Sequence, residues 1–163
     1  MAEEPRLYLP RWSQLIMDEV TRNLIGKWGM PVDKAQRREE EIRRHFPEAW
    51  VEGFGPLVDV MTNDPGDRHV LAAAVCSHAE LIVTYNRRHF PLDSVRPWEI
   101  DVQGPSAFLR GLYDLEAGLF VRKLHEQANT IGIALERLLL SLAKNVPGLV
   151  EYFCEEQGIR LCE

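Results

Sequence analysis

The chain has 163 residues, 45% of them hydrophobic and 27% charged, with a net charge of −6. This is one domain of ordinary size with enough apolar material for a core, and its acidic balance argues against holding nucleic acid by bulk positive charge. No apolar run approaches the roughly 18 residues needed to span a bilayer. The opening MAEEPRLYLP lacks the basic and apolar regions of a secretory signal, so the expected location is the cytoplasm. Cys76, Cys154 and Cys162 are odd in number and show no CxxC spacing, which reads as buried or free thiols and not as a disulfide framework.

In chain order, Leu7 to Pro10 is extended, and Trp12 to Leu24 reads as a helix capped by Ser13. At about 100° per residue, Trp12, Leu15, Ile16, Val20 and Leu24 share one face. Glu19 falls inside that face with Asn23 beside it, while Asp18 and Thr21 fall on the solvated side. A buried lone carboxylate is costly, so Glu19 is expected either to hold a metal or to pair at the rim with Arg22 or Arg11. Val32 to Phe46, VDKAQRREEEIRRHF, is a charged helix in which Glu39 is set against Arg43 and Glu40 against Arg44. Trp50 to Phe54 is a short strand or strand-like connection, and Leu57 to Met61 a short helix.

The most informative stretch starts at Asn63 and runs NDPGDRHVLAAAVCSHAELIVTYNRRHFP. Asp64-Pro65 is a helix start, with Asp as cap and Pro at the first helical position. Asp67 to Ala79 is a small-residue helix suited to packing on a sheet. Leu81 to Tyr85 reads as a strand buried on both faces. Asn86, Arg87, Arg88 and His89 follow directly, where open α/β sheets place ligands beyond the strand ends. As plain structure, Asp64 and Asp67 are an N-cap and an acid in the first turn. Leu92 to Trp98 reads as a loop and Glu99 to Val102 as an edge strand. Helices are expected at Pro105–Leu115, Ala117–Asn129, Ile133–Asn145 and Pro147–Gln157. His69, Cys76, His78 and His89 lack the spacing of a zinc finger, and no phosphate-cradling loop is present.

The stretch DRHVLAAAVCSHAELIVTYNRRHFP resembles the PIN-domain family, in the branch of toxin–antitoxin toxin components related to VapC. PRWSQLIMDEVTRNL resembles the second helix of that branch, and FPEAWVEGFGPLVDVMTNDPGD the connection between the two. The resemblance covers roughly Leu7 to Phe108. It implies an α/β fold: a PIN-like, Rossmann-like three-layer sandwich with a reduced parallel sheet, plus a C-terminal helical extension. In domain terms, residues 1–110 form a truncated PIN-like domain and residues 111–163 pack on it as helices.

The function implied is that of a metal-dependent ribonuclease, with Mg²⁺ or Mn²⁺ held by carboxylates. Glu19 and Asp67 correspond to catalytic, metal-holding acids, with Asp64 a neighbour able to share the ion. Asn86, His89, Asn23 and Arg87 are the polar residues facing substrate. RNA and an antitoxin protein are the implied partners. Two departures reduce the expected negative charge. The family's first strand, which ends in an Asp, has no counterpart here, and His89 stands where the family has an Asp. An impaired nuclease is therefore expected, or a non-catalytic relative that acts by binding, with a homodimer or another partner covering the missing central strand.

Overall fold

The computed structural model describes residues 5–161. It is helix-rich, with a small parallel sheet of two strands. The helices are α1 (Gln14–Gly26), α2 (Val32–His45), α3 (Gly55–Val58), α4 (Arg68–Cys76), α5 (Leu92–Val95), α6 (Pro105–Leu115), α7 (Ala117–Thr130), α8 (Leu135–Ala143) and α9 (Pro147–Gln157); the strands are β1 (Leu81–Val83) and β2 (Asp101–Gln103). Two compact units result. One comprises Leu9–Ile82 and Asn86–Val102; the other comprises the stretch ending at Tyr8, Val83–Tyr85 and the chain from Gln103 onward.

In the first unit, Ser13 caps α1 by accepting the Ile16 N–H at 3.3 Å. Ser13 is fully buried, so Ser13→Ala is expected to cost about 1 kcal/mol, read as a shift in the denaturation midpoint. Trp12, expected within the helix, lies before it and forms a parallel bridge with Trp50. The Trp12 N–H donates to the Ala49 carbonyl, and the Val51 N–H donates to the Trp12 carbonyl, both at 2.9 Å.

The buried face of α1 differs from the helical-wheel reading. Met17 and Leu24 are buried, whereas Leu15 and Val20 are 50% and 39% exposed. The cause is α2. Thr21, expected in solvent, donates to Glu39 at 2.9 Å, and Gln14 donates to Glu39 at 2.8 Å. These contacts turn the Gln14–Thr21 side of α1 toward its neighbour. The expected pairing within α2 is displaced too. Arg44 pairs with Glu41 at 2.9 Å, and Arg43 lies over the Trp50 ring at 3.6 Å and donates to Gln14.

Leu71, Ala72, Ala73 and Ala74 are the buried side of α4. Leu71, Ala72 and Ala74 join Met61, Ile82, Phe90, Val95 and Ile100 in one apolar cluster. Small side chains let the α4 backbone approach its neighbours closely. The expectation of a strand buried on both faces fails: Ile82 is buried, but Val83 is 40% and Tyr85 69% exposed. Leu92 to Trp98, expected as a loop, is α5 followed by a 3₁₀ turn at Arg96–Trp98.

In the second unit, α6 packs on α7 and α9, and α8 packs on α7 and α9. The core holds Leu112, Tyr113, Phe120, Leu124, Leu138, Leu139, Leu149, Val150 and Phe153. Tyr113 meets Phe120, Tyr152 and Phe153 edge-on at 5.7–5.8 Å, a favourable aromatic geometry. Burial pushes the Cys154 thiol above its ordinary pKa. Cys76 and Cys154 are free thiols, and Cys162 lies outside the described residues.

The Tyr152 hydroxyl donates to Asp114 at 2.6 Å. That bond, then burial and the Asp114 and Glu156 charges, raise its pKa from the ordinary 10 to about 12, against the opposing Arg110. A phenol whose folded pKa is raised stabilises the fold fully below its unfolded pKa. The contribution is lost as pH climbs from about 10 to about 12. Burial also raises the Tyr8 phenol, so ultraviolet titration is expected to lose one of its late-ionising groups in Tyr152→Phe while that of Tyr8 remains.

Candidate metal centre

The site begins with a turn. Asp64 caps a 3₁₀ turn at Pro65–Asp67, its Oδ1 accepting the Gly66 N–H at 2.9 Å. Pro65 lacks a donor and its fixed φ suits the first position of the turn. The Asp67 N–H donates to the Asp64 carbonyl at 2.9 Å, and α4 starts at the next residue. Asp67 makes no side-chain bond to the α4 backbone. Its position is still favourable, because the start of a helix attracts negative charge.

The other half of the site is the loop leaving β1. Asn86 precedes a 3₁₀ turn at Arg87–His89, and its carbonyl accepts the His89 N–H at 2.9 Å. The Asp64 N–H donates to the His89 carbonyl at 3.1 Å, which ties this loop to the Asp64 turn. His89 Nδ1 meets Asp67 Oδ2 at 2.5 Å, with the two side chains 25% and 21% exposed. Arg88 Nε donates to His89 Nε2 at 3.3 Å.

Asp64, Asp67 and His89 each offer one ligand atom, and the three atoms lie within 4.8 Å of one another. Two carboxylates and an imidazole are a donor set for a divalent cation, and the imidazole suits first-row transition ions better than Mg²⁺. Asn63, the residue before Asp64 in the chain, carries an orphaned side chain. It is 3% exposed, and neither its Oδ1 nor its Nδ2 has a hydrogen-bond partner.

Glu19 is not one of the three residues of this group. It sits on α1, with Oε1 4.0 Å from His69 Nε2. Its side chain is 44% exposed, so the argument from a buried lone carboxylate does not apply. Its neighbour is His69 on α4, and neither arginine expected at the rim is the one it meets. His69 Nε2 is enclosed and has no hydrogen-bond partner. Sequence reasoning missed Asn63 and weighed His69 only as a zinc ligand, not as the partner of Glu19. No periodicity or spacing marks either one, because each is defined by packing between segments distant in the chain. Asn23 follows Glu19 by one helical turn, and Asn23, Asn86 and Arg87 are all exposed. Of the four residues weighed for zinc, His89 alone belongs to the ligand group.

Over 67 residues the chain is 46% identical to the protein called "Putative ribonuclease VapC50" of Mycobacterium tuberculosis. The chain carries VapC-like sequence. This VapC-like match spans 41% of the chain and 40% of the relative's length. No protein-family model and no solved structure matches the chain. Among the described residues, no helix is long and apolar enough to cross a membrane.

Proposed function

We propose that this protein is a PIN-like, metal-dependent ribonuclease, the toxin component of a toxin–antitoxin system. The observation that carries the reading is the 46% identity to a protein named as a ribonuclease. The donor cluster of Asp64, Asp67 and His89 supports it, because it supplies the type of ligand set that phosphodiester hydrolysis needs. A bound divalent ion supplies activated water and neutralises charge on the phosphate.

In this reading Asp67 and Asp64 hold the ion, and Glu19 acts from α1 beside the start of α4. Asn86, Asn23 and Arg87 are exposed and face the RNA, with Arg87 suited to a phosphate. Residues 1–110 are the PIN-like body and residues 111–163 the helical extension, and the protein works in the cytoplasm. RNA is the substrate and an antitoxin protein the partner. A second copy is the other candidate partner, since among the described residues the sheet has two strands and therefore two open edges.

A second reading, a non-catalytic relative acting by binding, is favoured by one observation. Asp67 is already engaged by His89 at 2.5 Å, and Glu19 stands outside the group. Cleavage of single-stranded RNA with Mn²⁺ or Mg²⁺ decides between them. Loss of cleavage in Asp67→Asn supports the ribonuclease. No cleavage by the unaltered protein with either ion supports the binding role, and light scattering of the same sample reads whether it is a dimer.

A further inference from the structure

His69 Nε2 is closed off from solvent and has no hydrogen-bond partner. Glu19 Oε1 stands 4.0 Å from it. A ring nitrogen that water cannot reach is costly to leave unpaired. Closing the gap to hydrogen-bond distance takes a movement of about 1 Å. The glutamate is the partner free to make it, since its side chain is 44% exposed against 13% for His69.

Both ends of this contact are held by the fold. The Glu39 carboxylate accepts from Gln14 and Thr21, which fixes how α1 is turned about its axis. Glu19 lies about 140° round the helix from Gln14 and about 160° from Thr21, on the side away from α2. His69 is the second residue of α4, and Asp67 is the cap of that same helix. An imidazole turns on few torsions, so the place of its nitrogen follows the α4 backbone.

We infer that His69 is a positioning residue, its Nε2–H donating to Glu19 and holding that carboxylate in register with the start of α4. A carboxylate only accepts, so the nitrogen facing it is the one that bears the ring proton. A side chain that serves chemistry has to be held to within about 0.5 Å, which a glutamate free in solvent is not. One helix start then sets both acids, Asp67 directly and Glu19 through His69. The consequence for cleavage rests on the proposed function, whereas the tether itself does not.

The test uses the full chain. Proton–nitrogen spectra of the imidazoles are expected to show His69 protonated at Nε2, its signal identified by its loss in His69→Gln. Glu19→Ala is expected to shift that signal and remove its protection from solvent exchange. In single-turnover cleavage of single-stranded RNA, His69→Leu is expected to be slower on the order of tenfold with RNA affinity unchanged. His69→Gln keeps a donor and is expected to restore most of the rate. In the Glu19→Gln background, His69→Leu is expected to cost nothing more. Glu19→Ala alters a half-exposed side chain and decides the tether should His69→Leu not fold. A ring bare at Nε2, a His69 signal unmoved by Glu19→Ala, or losses that multiply in the double variant each overturn the inference. So does His69→Leu cleaving as fast as the unaltered protein. No cleavage by the unaltered protein sinks the ribonuclease reading alone, and the spectra then decide the tether.

Discussion

Asp67→Asn is expected to lower RNA cleavage by at least about a hundredfold, roughly 2.7 kcal/mol of transition-state stabilisation. Asn keeps the size and one acceptor oxygen of Asp, so His89 retains a hydrogen-bond partner and the melting temperature should change little. The negative charge is what disappears, from a ligand that sits at the head of α4 and within 4.8 Å of two other donors. Glu19→Gln is expected to cost less, because Glu19 is 44% exposed and its neighbour is His69. Single-turnover cleavage assays on both variants give the order. A Glu19→Gln loss equal to or larger than that of Asp67→Asn would mean that the chemistry is centred on α1 and not on the turn at Asp64–Asp67.

Phe153→Ala carries the largest expected effect on stability, about 3–5 kcal/mol. Phe153 is 1% exposed, lies edge-on to Tyr113 at 5.8 Å, and sits 6.5 Å from Phe120. Truncation removes the transfer free energy of the ring and leaves a cavity between α6, α7 and α9 that these helices cannot fill without losing their own contacts. Against a total stability of about 5–15 kcal/mol, that loss takes much of the margin. Chemical denaturation followed by far-ultraviolet circular dichroism reads the effect. A midpoint shift equivalent to less than about 1 kcal/mol would show that Phe153 is not packed as described. RNA cleavage per folded molecule should be untouched, since Phe153 belongs to a different compact unit from the donor cluster.

Local chemistry was legible in the sequence wherever one short segment decides the outcome. Ser13 as a cap, the Asp64-Pro65 start and the helix bounds of Pro105–Leu115 and Pro147–Gln157 all follow from caps, prolines and spacing, and all stand in the structure. The VapC-like stretch was equally readable, since identity to a relative is a property of residue order. The buried face of α1 was not. Leu15 and Val20 lie outside because Gln14 and Thr21 bond to Glu39, and polar contacts between helices leave no trace in apolar periodicity.

The same division holds for the candidate site. Residue types alone marked Asp64, Asp67, His89 and Glu19 as acids and a histidine able to hold an ion. Only the tertiary structure decided that His89 reaches Asp67 while Glu19 faces His69. The reason is physical. Ligand chemistry resides in each side chain, whereas a distance between residues 22 positions apart is set by how a turn, a helix and a strand-end loop pack together.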